Sequence, residues 1–462
     1  MEKSGNRRQF LKTGAASVTA AVSATAAATT VGFWVAGGSS TALGKSPNEQ
    51  IQFACIGVGG KGTSDLADAA KHGKIMGLCD IDGRTLAKAA AGHPEAKKYY
   101  DFRTMLDELG NTIDAVTVST PDHNHAAAAL MAMRMGKHCF CQKPLTRTIY
   151  EARLMGQVAA ENNLVTQMGN QGTAIPGLRQ AAATVRSGIL GNVSEVHVWT
   201  DRPVWPQGIT RPTENPPVPS HVHWDEWLGV APVRPYNPGY HPFKWRGWWD
   251  FGSGALGDMA CHTFNMPYAA LDLRDPISVE ADSSGHNKDT FPGWSDITFQ
   301  FPQRGNRGPV KVKWYDGGKK PELDVLNDRD VREFAVKMRG EKNAMISGAV
   351  MIGDEATLFA PADYAEDWML VGKEKPTSID FKTSPGHFTE FAHGVAGGET
   401  PMSNFPNYAG PLTETILLGN LAVWSGQKIE WDAKSMTATN NDDPGVAALI
   451  KPTYRDGYTL DV

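Results

Sequence analysis

The chain has 462 residues, of which 41% are hydrophobic and 21% charged, with a formal net charge of −5. That composition fits a soluble globular protein of two domains, and the acidic balance argues against nucleic acid or an anionic membrane as the main partner. Thirteen Trp is a high count, and many lie between Trp199 and Trp249, a clustering that suits sugar-ring stacking as well as core packing.

At the start, Asn6-Arg7-Arg8-Gln9-Phe10-Leu11-Lys12 precedes a weakly apolar Ala/Thr/Val run to about Ala36. This segment resembles a twin-arginine export signal, which is an address read by the export machinery rather than part of the fold. Residues 1–46 are therefore set aside, and the expected location is the periplasm. The alternative is an uncleaved membrane anchor, because the run from Gly14 to Gly37 is long enough to span a bilayer. Its few Leu and Ile would insert weakly. Ala42-Leu43-Gly44 is the nearest small-x-small cleavage match.

From Ile51 to Met168 apolar strands alternate with amphipathic helices. The strands are expected at Ile51–Val58, Lys74–Asp80, Asp114–Thr120, Lys137–Cys141 and Leu164–Met168. The helices are expected at Lys61–His72, Arg84–Ala91, His123–Met135 and Ile149–Glu161. Continuous apolar strands in this alternation imply a doubly wound parallel sheet covered on both faces, an α/β domain over residues 47–170. Beyond it, Val193–Thr200, Ser278–Ala281, Ser295–Phe301 and Val310–Tyr315 read as strands of a mostly antiparallel open sheet. They belong to an α+β domain over residues 171–462, whose last helices are expected to pack back on the first domain. Arg202–Pro242, rich in proline and aromatics, reads as a long ordered loop, and such loops are usually functional.

Gly57-Val58-Gly59-Gly60-Lys61-Gly62 is a Gly-x-Gly-x-x-Gly loop between a strand and a helix. The first glycine allows the tight turn, the second lets backbone approach a pyrophosphate, and the third lets helix pack on strand. Asp80 ends the next strand, where an acid accepts ribose hydroxyls. A carboxylate there favours NAD over NADP, while Arg84 nearby weakens that preference. Ser119, Thr120, Pro121, His123 and His125 follow one strand and Gln142-Lys143-Pro144 the next, at the carboxyl ends where ligands bind in open α/β sheets. Asp258 and His262 are four apart and share a helical face, an arrangement suited to proton abstraction. Trp248 and Trp249 are candidates for stacking on a sugar ring, and Gln171 is a further substrate candidate. His221 and His223 lack an acid partner pair, so no metal site is assigned. The five cysteines are odd in number and four lie in apolar strands, so free buried thiols are expected rather than disulfides.

Together the glycine loop, Thr120-Pro121-Asp122-His123-Asn124-His125, Gln142-Lys143-Pro144 and the Asp258/His262 pair resemble the Gfo/Idh/MocA oxidoreductases over nearly all of residues 50–432. The resemblance implies that Lys143 touches both the substrate hydroxyl and the nicotinamide, that His262 is the general base, and that Asp258 positions substrate. It also implies that Trp245 and Arg246 approach the cofactor or substrate. Two positions depart from the family. Gln142 stands where the family has Glu, which predicts a Lys143 that titrates lower than the family norm. Asn265 replaces an acid, which points to a different pattern of sugar hydroxyls.

The resulting expectation is an exported NAD(P)-dependent oxidoreductase acting on a sugar, glycoside or polyol hydroxyl. Export to a compartment without a dinucleotide pool implies a tightly bound cofactor recycled within each catalytic cycle. A redox-neutral NAD-dependent glycosidase is the alternative, and a non-catalytic sugar or dinucleotide binder a weaker one. A homo-oligomer, dimer or tetramer, is expected through the second sheet.

Overall fold

The computed structural model describes residues 50–460, so the signal-like segment lies outside the described residues. Six strands form the first sheet: β1 (Ile51–Ile56), β2 (Gly73–Cys79), β3 (Lys97–Tyr99), β4 (Ala115–Val118), β5 (His138–Cys141) and β6 (Thr166–Met168). All their pairings are parallel, in the order β3-β2-β1-β4-β5-β6. This is the dinucleotide-binding order, whose direction reverses between β1 and β4 and opens a crevice there. Helices α1 (Lys61–His72), α2 (Gly83–Gly92), α3 (Phe102–Leu109), α4 (His125–Arg134) and α5 (Ile149–Glu161) connect the strands. Phe53, Cys55, Leu78 and Phe140 fill the core from the sheet.

The second sheet has nine strands: β7 (Val193–Trp199), β8 (Ser278–Ser283), β9 (Ser295–Phe301), β10 (Val310–Tyr315), β11 (Gly348–Gly353), β12 (Thr357–Pro361), β13 (Met369–Val371), β14 (Ile429–Asp432) and β15 (Thr437–Ala438). Their order is β13-β12-β11-β7-β10-β9-β8-β14-β15. Neighbours are antiparallel except β7 and β10, which pair in parallel. A parallel pair needs a long crossover, and residues 200–309 supply it. In β9 buried residues alternate with partly exposed ones, as in a sheet with one covered face.

Helices α6 (Pro176–Arg186), α7 (Trp224–Leu228), α8 (Gly254–Thr263), α9 (Asn265–Leu271), α10 (Arg329–Arg339), α11 (His387–Val395), α12 (Gly410–Ser425) and α13 (Pro444–Ile450) complete the structure. Two of them tie the sheets together. Phe388 and Phe391 of α11 enter the first core beside Phe53 and Phe140. Helix α12 is apolar almost all round because it packs against α5 on one side and α8, β8 and β9 on the other. All five cysteines are free and buried. Among the described residues, no helix is long and apolar enough to cross a membrane.

Candidate active site

The glycine loop has the geometry its spacing predicts. Gly57 sits at φ +76°, and a Cβ there would fall 2.6 Å from the Ser119 carbonyl oxygen. A Cβ on Gly62 would fall 2.0 Å from the Gly57 carbonyl oxygen, so only glycine lets α1 start this close to β1. Asp80 accepts from the backbone N–H of Val58 and of Asp82, both at 2.9 Å, which fixes its carboxylate at the end of β2. Burial raises the Asp80 pKa, and those backbone donors oppose the rise.

A cavity of about 700 Å³ runs from this loop across the crevice to α8. Gly57, Gly59, Gly60, Lys61, Asp80, Ser119, Thr120 and Pro121 line its first part. At the other end Gln142, Lys143, Gln171, Trp245, Arg246, Asp258 and His262 converge from both sheets. Lys143 Nζ donates to Asp258 Oδ1 at 2.8 Å and to the Asp258 carbonyl at 3.0 Å. Arg246 Nε donates to the same Oδ1 at 3.1 Å, and its guanidinium lies over the Trp245 ring at 4.2 Å. Burial alone would raise the Asp258 carboxyl, but Lys143 and Arg246 hold it down to about 2. Burial works against the Lys143 ammonium in turn, yet Asp258 and Cys261 together offset it, and the lysine pKa stands above its ordinary value.

His262 lies one turn beyond Asp258 on α8 and is 3% exposed. Burial first, then the nearby Lys143 charge, hold its pKa well below the usual imidazole value, so it is neutral at pH 7. Its Nδ1 has no hydrogen-bond partner although it is buried. The ring meets Tyr364 edge to face at 4.9 Å. A neutral imidazole with an open ring nitrogen, beside a fixed ammonium and in a cavity, is equipped to take a proton from a hydroxyl.

Several expectations need correction. Gln142 does not control Lys143: its Nε2 donates to the buried Asp65 Oδ2 at 2.8 Å, and Asp65 also accepts from Ser119 Oγ at 2.7 Å and Lys61 Nζ at 2.6 Å. Lys143 takes its charge partner from α8 instead, and its pKa is raised above the ordinary lysine value. His123 and His125 are buried and off the cavity wall. The neutral His123 donates from Nδ1 to the Phe251 carbonyl at 3.1 Å and accepts at Nε2 from Asn124 Nδ2 at 3.2 Å, while the His125 ring nitrogens lie 2.8 and 2.9 Å from the Thr120 and Pro144 carbonyls, so both brace loops. Arg84 is exposed and does not line the cavity. Gly62 packs behind the wall, as its role in helix packing requires. Trp248 and Trp249 are core residues, with indoles spent on the Gly239 and Thr290 carbonyls. Asn265 is also buried away from the cavity, where its Oδ1 accepts from Tyr408. His221 Nε2 lies 3.7 Å from Asp82, and the His223 ring stacks on Tyr100.

Sequence reasoning missed Tyr364, Asp363 and Tyr458, which also line the cavity. Asp363 and Tyr364 follow β12, between Ala362 at φ +74° and Ala365 at φ +49°. Two left-handed non-glycine residues around a cavity pair mark a functional loop, but their dihedrals are invisible in the sequence.

Residues 51–170 match the family described as "Oxidoreductase family, NAD-binding Rossmann fold", and residues 178–307 match its C-terminal alpha/beta domain. Levoglucosan dehydrogenase of Pseudarthrobacter phenanthrenivorans is 26% identical over 189 residues, 41% of this chain and 40% of that protein. A glycosyl hydrolase family 109 protein of Saccharopolyspora erythraea is 35% identical over 115 residues, 22% of this chain and 25% of that protein. The chain spans less than half the length of such curated relatives. The crystal structure of aldose-aldose oxidoreductase from Caulobacter crescentus, complexed with glycerol, shares the fold with a TM-score of 0.56 at 15% identity. That match covers 83% of this chain and all of the other. The chain belongs to the Gfo/Idh/MocA oxidoreductase family, and its first domain is an NAD-binding Rossmann domain.

Proposed function

From that membership we propose that the protein oxidises a hydroxyl-bearing carbon of a sugar, glycoside or polyol, using a nicotinamide dinucleotide that stays bound between turnovers. The observation that carries this reading is the meeting of Lys143, Asp258 and a neutral His262 in the cavity that begins at the glycine loop.

The residues present fit a dinucleotide. The glycine loop leaves its backbone open to a pyrophosphate, Asp80 is held toward a ribose, and α1 starts at Gly60–Lys61. When bound, the cofactor supplies the acceptor for the hydrogen lost from carbon. The neutral His262 imidazole takes the proton from the substrate hydroxyl. Lys143 donates to the same oxygen and steadies the charge that develops on it. Asp258 holds the lysine in place by pairing with it, and Arg246 shares that carboxylate. Asp80 with Asp82 beside it disfavours a 2′-phosphate, so NAD is the preferred form.

Retention of the cofactor follows from proposed export through Arg7 and Arg8, since a folded protein leaving the cytoplasm keeps only what it holds. A cofactor retained in this way would be regenerated by a second substrate that is itself reduced. A relative named as a glycosyl hydrolase keeps the redox-neutral reading in view, but the paired Lys143 favours net oxidation at a hydroxyl.

The test is to denature the purified protein, identify any released nucleotide by mass spectrometry, and assay sugars, polyols and aryl glycosides without added NAD. Co-purified NAD with sugar-dependent reduction of it supports the proposal. Release of aryl groups without net redox change supports the glycosidase. Protein that emerges empty and turns over only with free NAD overturns the closed cycle.

A further inference from the structure

Residues 451–460 leave α13 and run back across the first domain to the glycine-loop end of the cavity, far from the chemistry described above. Six hydrogen bonds fix this strap. Tyr454 donates to Glu151 Oε1 at 3.1 Å. Arg455 bonds the Gly229 carbonyl at 2.8 Å, the Asp225 carbonyl at 2.9 Å and the Asp225 carboxylate at 2.5 Å. Arg103 donates to the Gly457 carbonyl at 2.9 Å, and Arg134 to that of Leu460. Arg103 is itself held by a two-pronged bond to Asp101.

These anchors deliver one side chain to the cavity. Tyr458 lines it together with Asp80, Tyr100, Asp101 and Phe102. The Arg103 and Arg455 guanidinium carbons lie 4.0 and 4.7 Å from the Tyr458 ring centroid, so the ring has little freedom. It is 5% exposed, yet its hydroxyl has no hydrogen-bond partner. A buried phenol oxygen is unfavourable unless something bonds it, and the Tyr458 side chain that carries this one lines a cavity large enough for a ligand.

A second segment closes the same end. The loop before α7 pairs with the turn after β2, through the Gly83 N–H to the His221 carbonyl at 2.8 Å and the His223 N–H to the Ile81 carbonyl at 2.9 Å. Asp225, the partner of Arg455, lies on α7 at the end of this loop. Strap and loop are thus latched to one another beside Asp80 and Asp82.

We propose that Tyr458 belongs to the dinucleotide site, with its hydroxyl bonded to the adenosine half of the cofactor. The Asp225–Arg455 latch keeps it there. The inference rests on the reading of the cavity as a dinucleotide site, and it adds a contact outside the Rossmann motif. Tyr458 contacts the ligand directly, whereas Arg455 and Asp225 are positioning residues. The latch also offers a physical reason for slow cofactor release, because the adenosine end opens only when strap and loop part.

The test compares wild type with Tyr458→Phe and Asp225→Asn after resident nucleotide is stripped with charcoal. Calorimetric titration with ADP-ribose reads the adenosine end, and titration with nicotinamide mononucleotide reads the other. Tyr458→Phe should weaken ADP-ribose roughly three- to tenfold, the usual scale for one neutral hydrogen bond, and leave the mononucleotide alone. Asp225→Asn should speed the loss of bound NAD on dilution. Equal ADP-ribose affinity in wild type and Tyr458→Phe, with both folded by thermal melt, overturns the proposal. So does equal weakening of both probes. Wild-type protein that binds neither ADP-ribose nor NAD overturns the dinucleotide reading as well.

Discussion

At the substrate end of the cavity, charged side chains from three elements meet on one carboxylate oxygen, Asp258 Oδ1. At the glycine-loop end the chain offers backbone, glycines and an acid fixed by two N–H groups. The first end depends on charge and proton position, so single side chains can be removed with the fold intact. The second depends on close approach of backbone, so its failures are failures of packing. The contrast predicts that substitutions at the two ends damage different measurements.

The largest effect is expected at the substrate end. His262→Ala and Lys143→Ala should each cut substrate oxidation at least about a hundredfold, the scale of lost acid–base help. Melting temperature and nucleotide content of His262→Ala should stay close to wild type. Near-native turnover in both variants would remove the assigned chemistry. At the other end, Gly62→Ala places a methyl 2.0 Å from the Gly57 carbonyl oxygen. It should cost about 3 kcal/mol of stability by overpacking and lower the nucleotide content, as chemical denaturation and mass analysis would read. Unaltered stability would mean that α1 can shift away from β1.

Gln142→Glu joins the two ends, since Gln142 lines the cavity but bonds Asp65. Two buried carboxylates would then face each other, at a cost of about 2 kcal/mol. Adding Asp65→Asn restores a donor–acceptor pair and should recover most of it. A double variant no more stable than Gln142→Glu would show that the two residues are not coupled.

The smallest effects concern pH. His262 and His123, the latter lowered to about 3 by burial, are neutral when folded and take protons when unfolded. Stability therefore falls as pH drops below about 6.5, by up to about 1.4 kcal/mol per histidine per pH unit until the folded group titrates. The stability contributed by Asp258 persists in that window and is lost only as pH falls below about 4 toward 2. Denaturant melts at pH 7 and 5 check this, and equal midpoints would contradict it. In Asp258→Asn the Lys143 ammonium loses its partner, so any alkaline limb of the rate profile should move to lower pH.

Much of the first domain was legible because its signals are local. A strand, a glycine loop and a helix are neighbours in the chain, and the alternation of apolar runs reports a sheet covered on both faces. Short β3 and the helix after it, Phe102–Leu109, escaped because three residues carry no period. Strands β11 to β15 lay beyond the stretch where alternation was read. The Lys143, Asp258 and His262 set was also legible, through spacing and family resemblance.

The aromatic and polar lining was read less well. Trp248 and Trp249 look like sugar-stacking residues in the chain, but a Trp is apolar over most of its surface and the core of the second domain took both. His123 and His125 sit in a ligand-binding motif, but buried backbone carbonyls claimed their nitrogens. By itself the sequence determined the parallel sheet, the glycine turn and the chemical groups available to the site. The tertiary structure alone decided their partners: Asp258 rather than residue 142 for Lys143, Asp65 for Gln142, and Tyr458 beside Asp80. The physical reason is range. Backbone periodicity acts over a few residues, whereas the charge state of a buried group is set by whatever lies within a few ångströms, here from residues more than a hundred positions away.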